Sequence, residues 1–386
     1  MALTLSTRMD CVDQSDIRRM TLECARIGGI NLAQGVCDTE VPAVIRRAAQ
    51  EAIDSGYNTY TRYDGLEELR KAIAAKQERS TGLAFDPHGE VIVSAGATGA
   101  FYSACLALLS PGDECILFEP FYGYHVSTLK AIQAVPVFVR TSPPDWSFSW
   151  DDLDRACTGR TKAVMVNTPS NPSGKVFRRE ELEMLGRFAE EHDLLVFSDE
   201  IYEHFVFDGL RHTSPATIPG LRERSILISG VSKTFSVTGW RIGYCLCSAK
   251  WAEAIGYFND LVYVCAPAPL QMGVALGLLS LTDDYYAGLR ENFNAKREKI
   301  CSALQVAGLK PHVPEGAYYV LADLSRLRGS SSRERAMDLL RRTGIACVPG
   351  AAFYGDDSGE LFGRFSFAKR DEVLDEACER IRRLSL

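Results

Sequence analysis

The chain has 386 residues, 46% of them hydrophobic and 24% charged, with a formal net charge of −7. Such a composition suits a soluble globular protein and excludes long disordered tracts. The mildly acidic balance argues against a nucleic-acid or membrane patch, and no apolar run reaches the ~18–20 residues of a membrane span. In chain order, Ser15–Ile27 carries Ile17, Met20 and Ile27 at helical spacing and stops at Gly28-Gly29. A second helix is expected from about Pro42 to Ser55, with Pro42 in its first turn and Gly56 at its cap, and a third from Gly65 to about Arg79.

From residue 90 the texture changes. Short β-branched or apolar runs occur at Glu90–Ser94, Cys115–Glu119, Val135–Arg140, Ala163–Asn167, Leu194–Ser198, Ser225–Ser229 and Ile242–Cys247. Helical stretches such as Arg178–His192 separate many of them. Strands apolar nearly throughout, alternating with helices, predict an α/β domain with a mostly parallel sheet of about seven strands. After Tyr286 a long helix (about Ala287–Ala307) leads to short strands near Tyr318–Ala322 and Arg364–Phe367, which reads as a smaller α+β domain. The expected organisation is an N-terminal segment (1–40) joining the small domain, a large domain (41–285) and a small C-terminal domain (286–386). Arg341 and Arg342 read as a solvated helix face.

Met1 to Asp10 lacks a basic start followed by an apolar run, so a signal peptide is not expected and a cytoplasmic location is. The twelve cysteines are scattered singly apart from Cys245 and Cys247, which share one strand face without a second ligand pair. They read as small buried residues in a reducing compartment, and no metal is expected.

The chemistry-bearing motifs fall after the predicted strands, where ligands sit in open α/β sheets. Asp199-Glu200-Ile201-Tyr202 follows Leu194–Ser198. Ser232-Lys233-Thr234-Phe235-Ser236 follows Ser225–Ser229, and Arg241 opens the next strand eight residues past Lys233. Asn167-Thr168-Pro169-Ser170-Asn171-Pro172-Ser173-Gly174 forms a rigid turn carrying amide side chains. A lysine among small and aromatic residues is suited to imine chemistry. Each piece alone is weak, since an Asp-Glu pair or a lone lysine is usually solvated surface. Their order, each at a strand end, is what carries weight.

The segment Ser229-Gly230-Val231-Ser232-Lys233-Thr234-Phe235-Ser236-Val237-Thr238-Gly239-Trp240-Arg241-Ile242-Gly243-Tyr244 resembles the cofactor-lysine signature of the class I/II aminotransferases, the pyridoxal 5′-phosphate (PLP) enzymes of fold type I. The resemblance runs from Ile30-Asn31-Leu32-Ala33-Gln34-Gly35 to Arg364-Phe365-Ser366-Phe367-Ala368. It implies that Lys233 carries PLP as a Schiff base and then acts as the proton-transfer base, with Asp199 holding the pyridine nitrogen protonated. It assigns Asn171 and Tyr202 to the cofactor's phenolic oxygen and Tyr122 to its ring face. Arg241, Ser232 and the amides of Ala97 and Thr98 fall to the phosphate. Tyr60, with Tyr63 as the competing candidate, matches a tyrosine that reaches the neighbouring subunit's phosphate, which implies a homodimer with shared sites. Arg364, with Gly35 and Asn171, matches the group that holds the substrate carboxylate.

Two departures stand out. Gly230 occupies a position where many relatives have a phosphate-binding serine or threonine, so either Ser232 or Ser229 substitutes or the contact is lost. Gly35-Val36-Cys37-Asp38-Thr39-Glu40 replaces the usual Gly-x-Pro-Asp-Phe, with Cys37 expected as a buried spacer rather than a substrate contact. The implied activity is transfer of an L-amino acid's amino group to a 2-oxo acid by a ping-pong mechanism. The competing reading is β- or γ-elimination or another fate of the same carbanion. A PLP-binding transcription factor would need a DNA-binding region, and the resemblance begins near residue 15. Phe121, Tyr124 and Tyr63 point to neutral, aromatic or sulfur-containing donors over aspartate, with no second arginine evident for a side-chain carboxylate.

Overall fold

The computed structural model describes residues 4–6, 8–9 and 14–384. Half of the Met1 to Asp10 stretch, and Cys11, lie outside the described residues. Helix α1 (Asp16–Arg26) begins where the Ser15 hydroxyl accepts the Ile17 N–H, and buries Met20 and Cys24. Strand β1 (Ile30–Asn31), α2 (Ala43–Asp54) and α3 (Glu67–Thr81) follow. The alternating region runs β2 (Val91–Ala95), α4 (Gly96–Leu108), β3 (Glu114–Glu119), α5 (Gly123–Ala131), β4 (Val135–Arg140), α6 (Trp150–Ala156), β5 (Thr161–Asn167), α7 (Arg179–Glu191), β6 (Leu195–Asp199), β7 (Ser225–Gly230) and β8 (Ile242–Leu246). Every strand expected here forms, with ends shifted by no more than two residues.

These strands make one seven-stranded sheet in the order β2-β8-β7-β6-β5-β3-β4, parallel except for β8, which runs antiparallel to both neighbours. Period-two alternation divides each strand between two cores. Cys115, Leu117, Ala163 and Met165 face one core, and Ile116, Val164 and Val166 face the other. Burial on both faces explains the nearly continuous apolar runs. The reversal of β8 has a direct consequence. Its first residue lies at the edge where the parallel strands end, so Arg241 stands beside groups that follow those strands.

Helices α8 (Ala249–Tyr263), α9 (Ala268–Ser280) and α10 (Asp283–Val306) lead into the smaller domain. There follow β9 (Pro311–His312), β10 (Tyr319–Asp323), α11 (Ser332–Thr343), β11 (Ile345–Ala346), β12 (Val348–Pro349), β13 (Phe362–Ser366) and α12 (Asp371–Arg382). Strands β12, β13, β10 and β9 form an antiparallel sheet, while β1 pairs in parallel with β11 through Ile30–Ile345 and Asn31–Ala346. The N-terminal segment is therefore stitched into the C-terminal third, and Leu32 and Ala33 are fully buried in its core. Arg341 and Arg342 lie in the last turn of α11, Arg341 and Arg342 both on its solvent side.

Candidate active site

The carboxyl edge of the large sheet meets the smaller domain around a cavity of about 600 Å³. Lys233, Asp199, Asn171, Tyr202, Tyr122, Ser232, Ala97, Thr98, Arg241, Gly35 and Arg364 all line it. The two tyrosines that compete for the neighbouring subunit's phosphate, Tyr60 and Tyr63, are both absent from this wall. Tyr60 is 82% exposed, and Tyr63 packs against α8, where a Cβ on Gly256 would sit 2.2 Å from its ring.

The candidate catalytic groups arrive on separate elements and are held by hydrogen bonds. Asp199 ends β6. Its Oδ2 lies 3.0 Å from His125 Nε2, and its Oδ1 accepts the Ile201 N–H at 3.2 Å. Lys233 follows β7 and donates from Nζ to the Gly35 carbonyl at 3.2 Å, an acceptor shared with the Tyr318 hydroxyl at 3.1 Å. Glycine at 35 is a packing requirement, since a Cβ there would lie 1.9 Å from the Tyr319 hydroxyl oxygen. That hydroxyl is 3.0 Å from the Tyr202 hydroxyl. Burial, reinforced by Tyr319, pushes the Tyr202 phenol well above its usual pKa, so it stays a protonated donor. Burial likewise raises Tyr122, which stacks on Tyr124 with centroids 5.3 Å apart.

Arg241 adopts a left-handed backbone (φ 56°), and among the described residues its guanidinium donates only to the carbonyls of Thr238 and Ala95. It stands at the first turn of α4, whose backbone N–H groups favour an anion. Arg364 is 1% exposed yet faces no carboxylate among the described residues. It donates to Asn171 Oδ1 and to the Ala33 carbonyl, each at 2.7 Å, and lies over the Tyr319 ring at 4.2 Å. Its Nε is buried with no partner. An uncompensated buried charge is costly unless a ligand completes it.

Gly230 has a physical reason in the sheet. A Cβ there would come within 3.0 Å of the Gly243 Cα and the Ile242 carbonyl on β8, so a larger residue would push β7 and β8 away from each other. Of its two expected substitutes, Ser232 lines the cavity, whereas the Ser229 hydroxyl turns away to Glu203 Oε1 at 3.1 Å. Cys37 is buried, with its thiol 3.7 Å from the Lys233 carbonyl, and does not line the cavity. Sequence reasoning did not single out His125, Tyr319 or Arg18, which also reach this wall. His125 was the most accessible of the three, because it sits three residues past Tyr122 and so shares a face of α5 with it.

The family model for aminotransferase class I and II matches residues 27–381. The chain belongs to that family. Its aminotransferase relatives include the probable N-succinyldiaminopimelate aminotransferase DapC of Mycobacterium tuberculosis, 37% identical over 95% of this chain and 94% of that protein. The aspartate aminotransferase of Pyrococcus abyssi is 33% identical over 99% and 98%. The solved structure of N-succinyldiaminopimelate aminotransferase from Mycobacterium tuberculosis superposes with a TM-score of 0.95 at 36% identity, covering 99% of this chain and all of that one. As an aminotransferase the protein is a PLP-dependent transaminase built from a large and a smaller domain, as the resemblance implied. The site suits that cofactor: the Lys233 amine, the Asp199 carboxylate, the phenols of Tyr122 and Tyr202, the Asn171 amide and the Arg241 guanidinium surround a single cavity. Among the described residues no helix is long and apolar enough to cross a membrane.

Proposed function

We propose that this transaminase moves the amino group of an L-amino acid to a 2-oxo acid in two half-reactions at the cavity around Lys233. The observation that carries the reading is Arg364, a buried guanidinium with an unpartnered Nε and no carboxylate opposite it. A substrate α-carboxylate would supply the missing charge, held by two parallel hydrogen bonds. The fixed carboxylate places the substrate amine and Cα toward Lys233, which gains geometric precision at little further entropic cost.

PLP, when bound, supplies an electron sink for the negative charge that develops at the substrate Cα. The chain's own residues do the rest. Lys233 would hold PLP through its amine and, with that amine free, would move the proton at the substrate Cα. Asp199 keeps the pyridine nitrogen protonated, and His125, 3.0 Å behind it, orients that carboxylate. Asn171 and Tyr202 would hydrogen-bond the phenolic oxygen, and Tyr122 would cover the ring. Arg241, Ser232 and the amides of Ala97 and Thr98 would hold the phosphate. Gly35, Asn171 and Arg364 would hold the substrate.

The 82% exposure of Tyr60 fits a residue that serves a neighbouring subunit, so we read the enzyme as a homodimer with shared sites. The eleven described cysteines are free thiols, which suits a cytoplasmic protein. The test is stoichiometric. Holoenzyme mixed with excess amino acid and no acceptor should release one equivalent of oxo acid per site and stop, then cycle once a 2-oxo acid is added. Continuous release of ammonia and oxo acid without an acceptor would establish elimination instead.

A further inference from the structure

Beside the catalytic cavity lies a second one of about 610 Å³. Ile17, Arg18 and Tyr124 line both, so the two adjoin along α1 and the start of α5. A ligand site typically spans roughly 300–1,000 Å³. The catalytic cavity falls in that range for a cofactor and a short amino acid, so the second is room that neither needs.

The charge of this second cavity is one-sided. Arg18, Arg19, Lys130 and Arg333 line it against a single carboxylate, Asp16. That carboxylate is already engaged, accepting from Arg333 at 3.1 Å and lying 3.7 Å from Arg19. Among the described residues the side chains of Arg18 and Lys130 make no hydrogen bond or ion pair. Arg18 is exposed on α1, a helix anchored by Met20 and Cys24, each 2% exposed, and by the Asp16–Arg333 pair. Besides Arg364 and Arg241, the cavity wall thus carries a third guanidinium with no carboxylate partner among the described residues, Arg18, on the side that leads into the cationic chamber.

We propose that the second cavity is a distal subsite for an amino donor with a long side chain ending in a carboxylate, with Arg18 at its mouth and Lys130 within it. The proposal rests on the transaminase reading and names its substrate class. It replaces the expectation of a neutral or aromatic donor, which rested on Phe121, Tyr124 and Tyr63. Tyr63 lies away from the cavity, while Tyr124 stands at the junction, where its ring flanks a passing aliphatic chain.

Two amino acids of equal length isolate the terminal charge: L-2-aminosuberate ends in a carboxylate and L-2-aminooctanoate in a methyl group. The holoenzyme should show a kcat/KM at least tenfold higher for the first. Arg18→Gln should shrink that ratio tenfold or more, Arg18→Lys should restore some of it, and Lys130→Gln should lower it less. The preference should also weaken with added salt, since partly exposed charges are screened. Calorimetric titration of the holoenzyme with the same pair reads the subsite whether or not turnover follows, and should give at least tenfold tighter binding of the dicarboxylate. If both donors are turned over with equal kcat/KM, the transaminase reading stands and the distal subsite is refuted. A preference confined to glutamate over norvaline, or an Arg18→Gln variant that lowers both long donors equally, would also overturn it.

Discussion

Two charged regions beyond the strand ends of the large sheet are built in opposite ways. In the rear one, off the cavity wall, Lys76 and Glu203 form an ion pair with side chains only 5% and 9% exposed, and the Ser229 hydroxyl donates to the same carboxylate. Nearby, Glu200 is closed by Ser198, His212 and Ser214. At the front, among the described residues, the deeply buried Arg364 donates only to an amide and a carbonyl, and the exposed Arg241 only to carbonyls. The first region satisfies its charges within the chain and contributes structure. The second leaves its cations to be completed by anions from outside, which is what a site for a phosphate-bearing cofactor and a carboxylate substrate requires.

The sharpest way to break the comparison is to disable the front without touching the fold. Lys233→Ala should reduce transamination by about 10⁴-fold or more, since it removes both the covalent anchor and the base. Far-UV circular dichroism and Tm should stay close to those of the parent, and a large loss of stability would mean that Lys233 is structural. The converse change is Glu203→Gln. Leaving Lys76 buried and unpaired should cost about 3–5 kcal/mol of stability by denaturant unfolding. A cost below about 1 kcal/mol, the worth of an exposed pair, would contradict the account of the rear pair.

That pair also sets a pH dependence. Burial pushes the Glu203 carboxyl up, but Lys76 outweighs it and holds the pKa at about 2 against a usual 4.5. Its contribution should therefore be complete above about 4.5 and fade as the pH falls toward 2, an acid transition that Glu203→Gln should diminish. Arg364→Gln should lower kcat/KM for amino acids by about 10²-fold, equivalent to roughly 2–4 kcal/mol, while costing less stability than Glu203→Gln. Equal destabilisation by the two variants would erase the distinction. The smallest effect should be Tyr202→Phe, at about tenfold in kcat, from the loss of one hydrogen bond. It should also raise the pH at which the visible band of the bound cofactor titrates.

Much of the front was legible in the sequence because its groups sit where local signals are strong. Asp199, Lys233 and Asn171 each follow an apolar β-rich run, and runs buried on both faces are easy to recognise. Arg241 could be placed by its distance from Lys233, but why it lies at the same edge follows only from the antiparallel β8. His125, Tyr319 and Arg18 were harder. An aromatic in an apolar strand and an arginine on a surface helix look ordinary until tertiary packing brings α1, α5 and β10 to one wall. Gly230 looked like a lost phosphate contact in the sequence. The close approach of β7 and β8 gives it a packing reason that no local pattern contains.

The central claim, that Lys233 carries the cofactor, can be measured directly. The holoenzyme would be reduced with borohydride, digested, and its lysine peptides weighed by mass spectrometry. The account predicts a pyridoxyl phosphate adduct on the peptide containing Lys233 and on no other. An adduct on another lysine with Lys233 unmodified would contradict it.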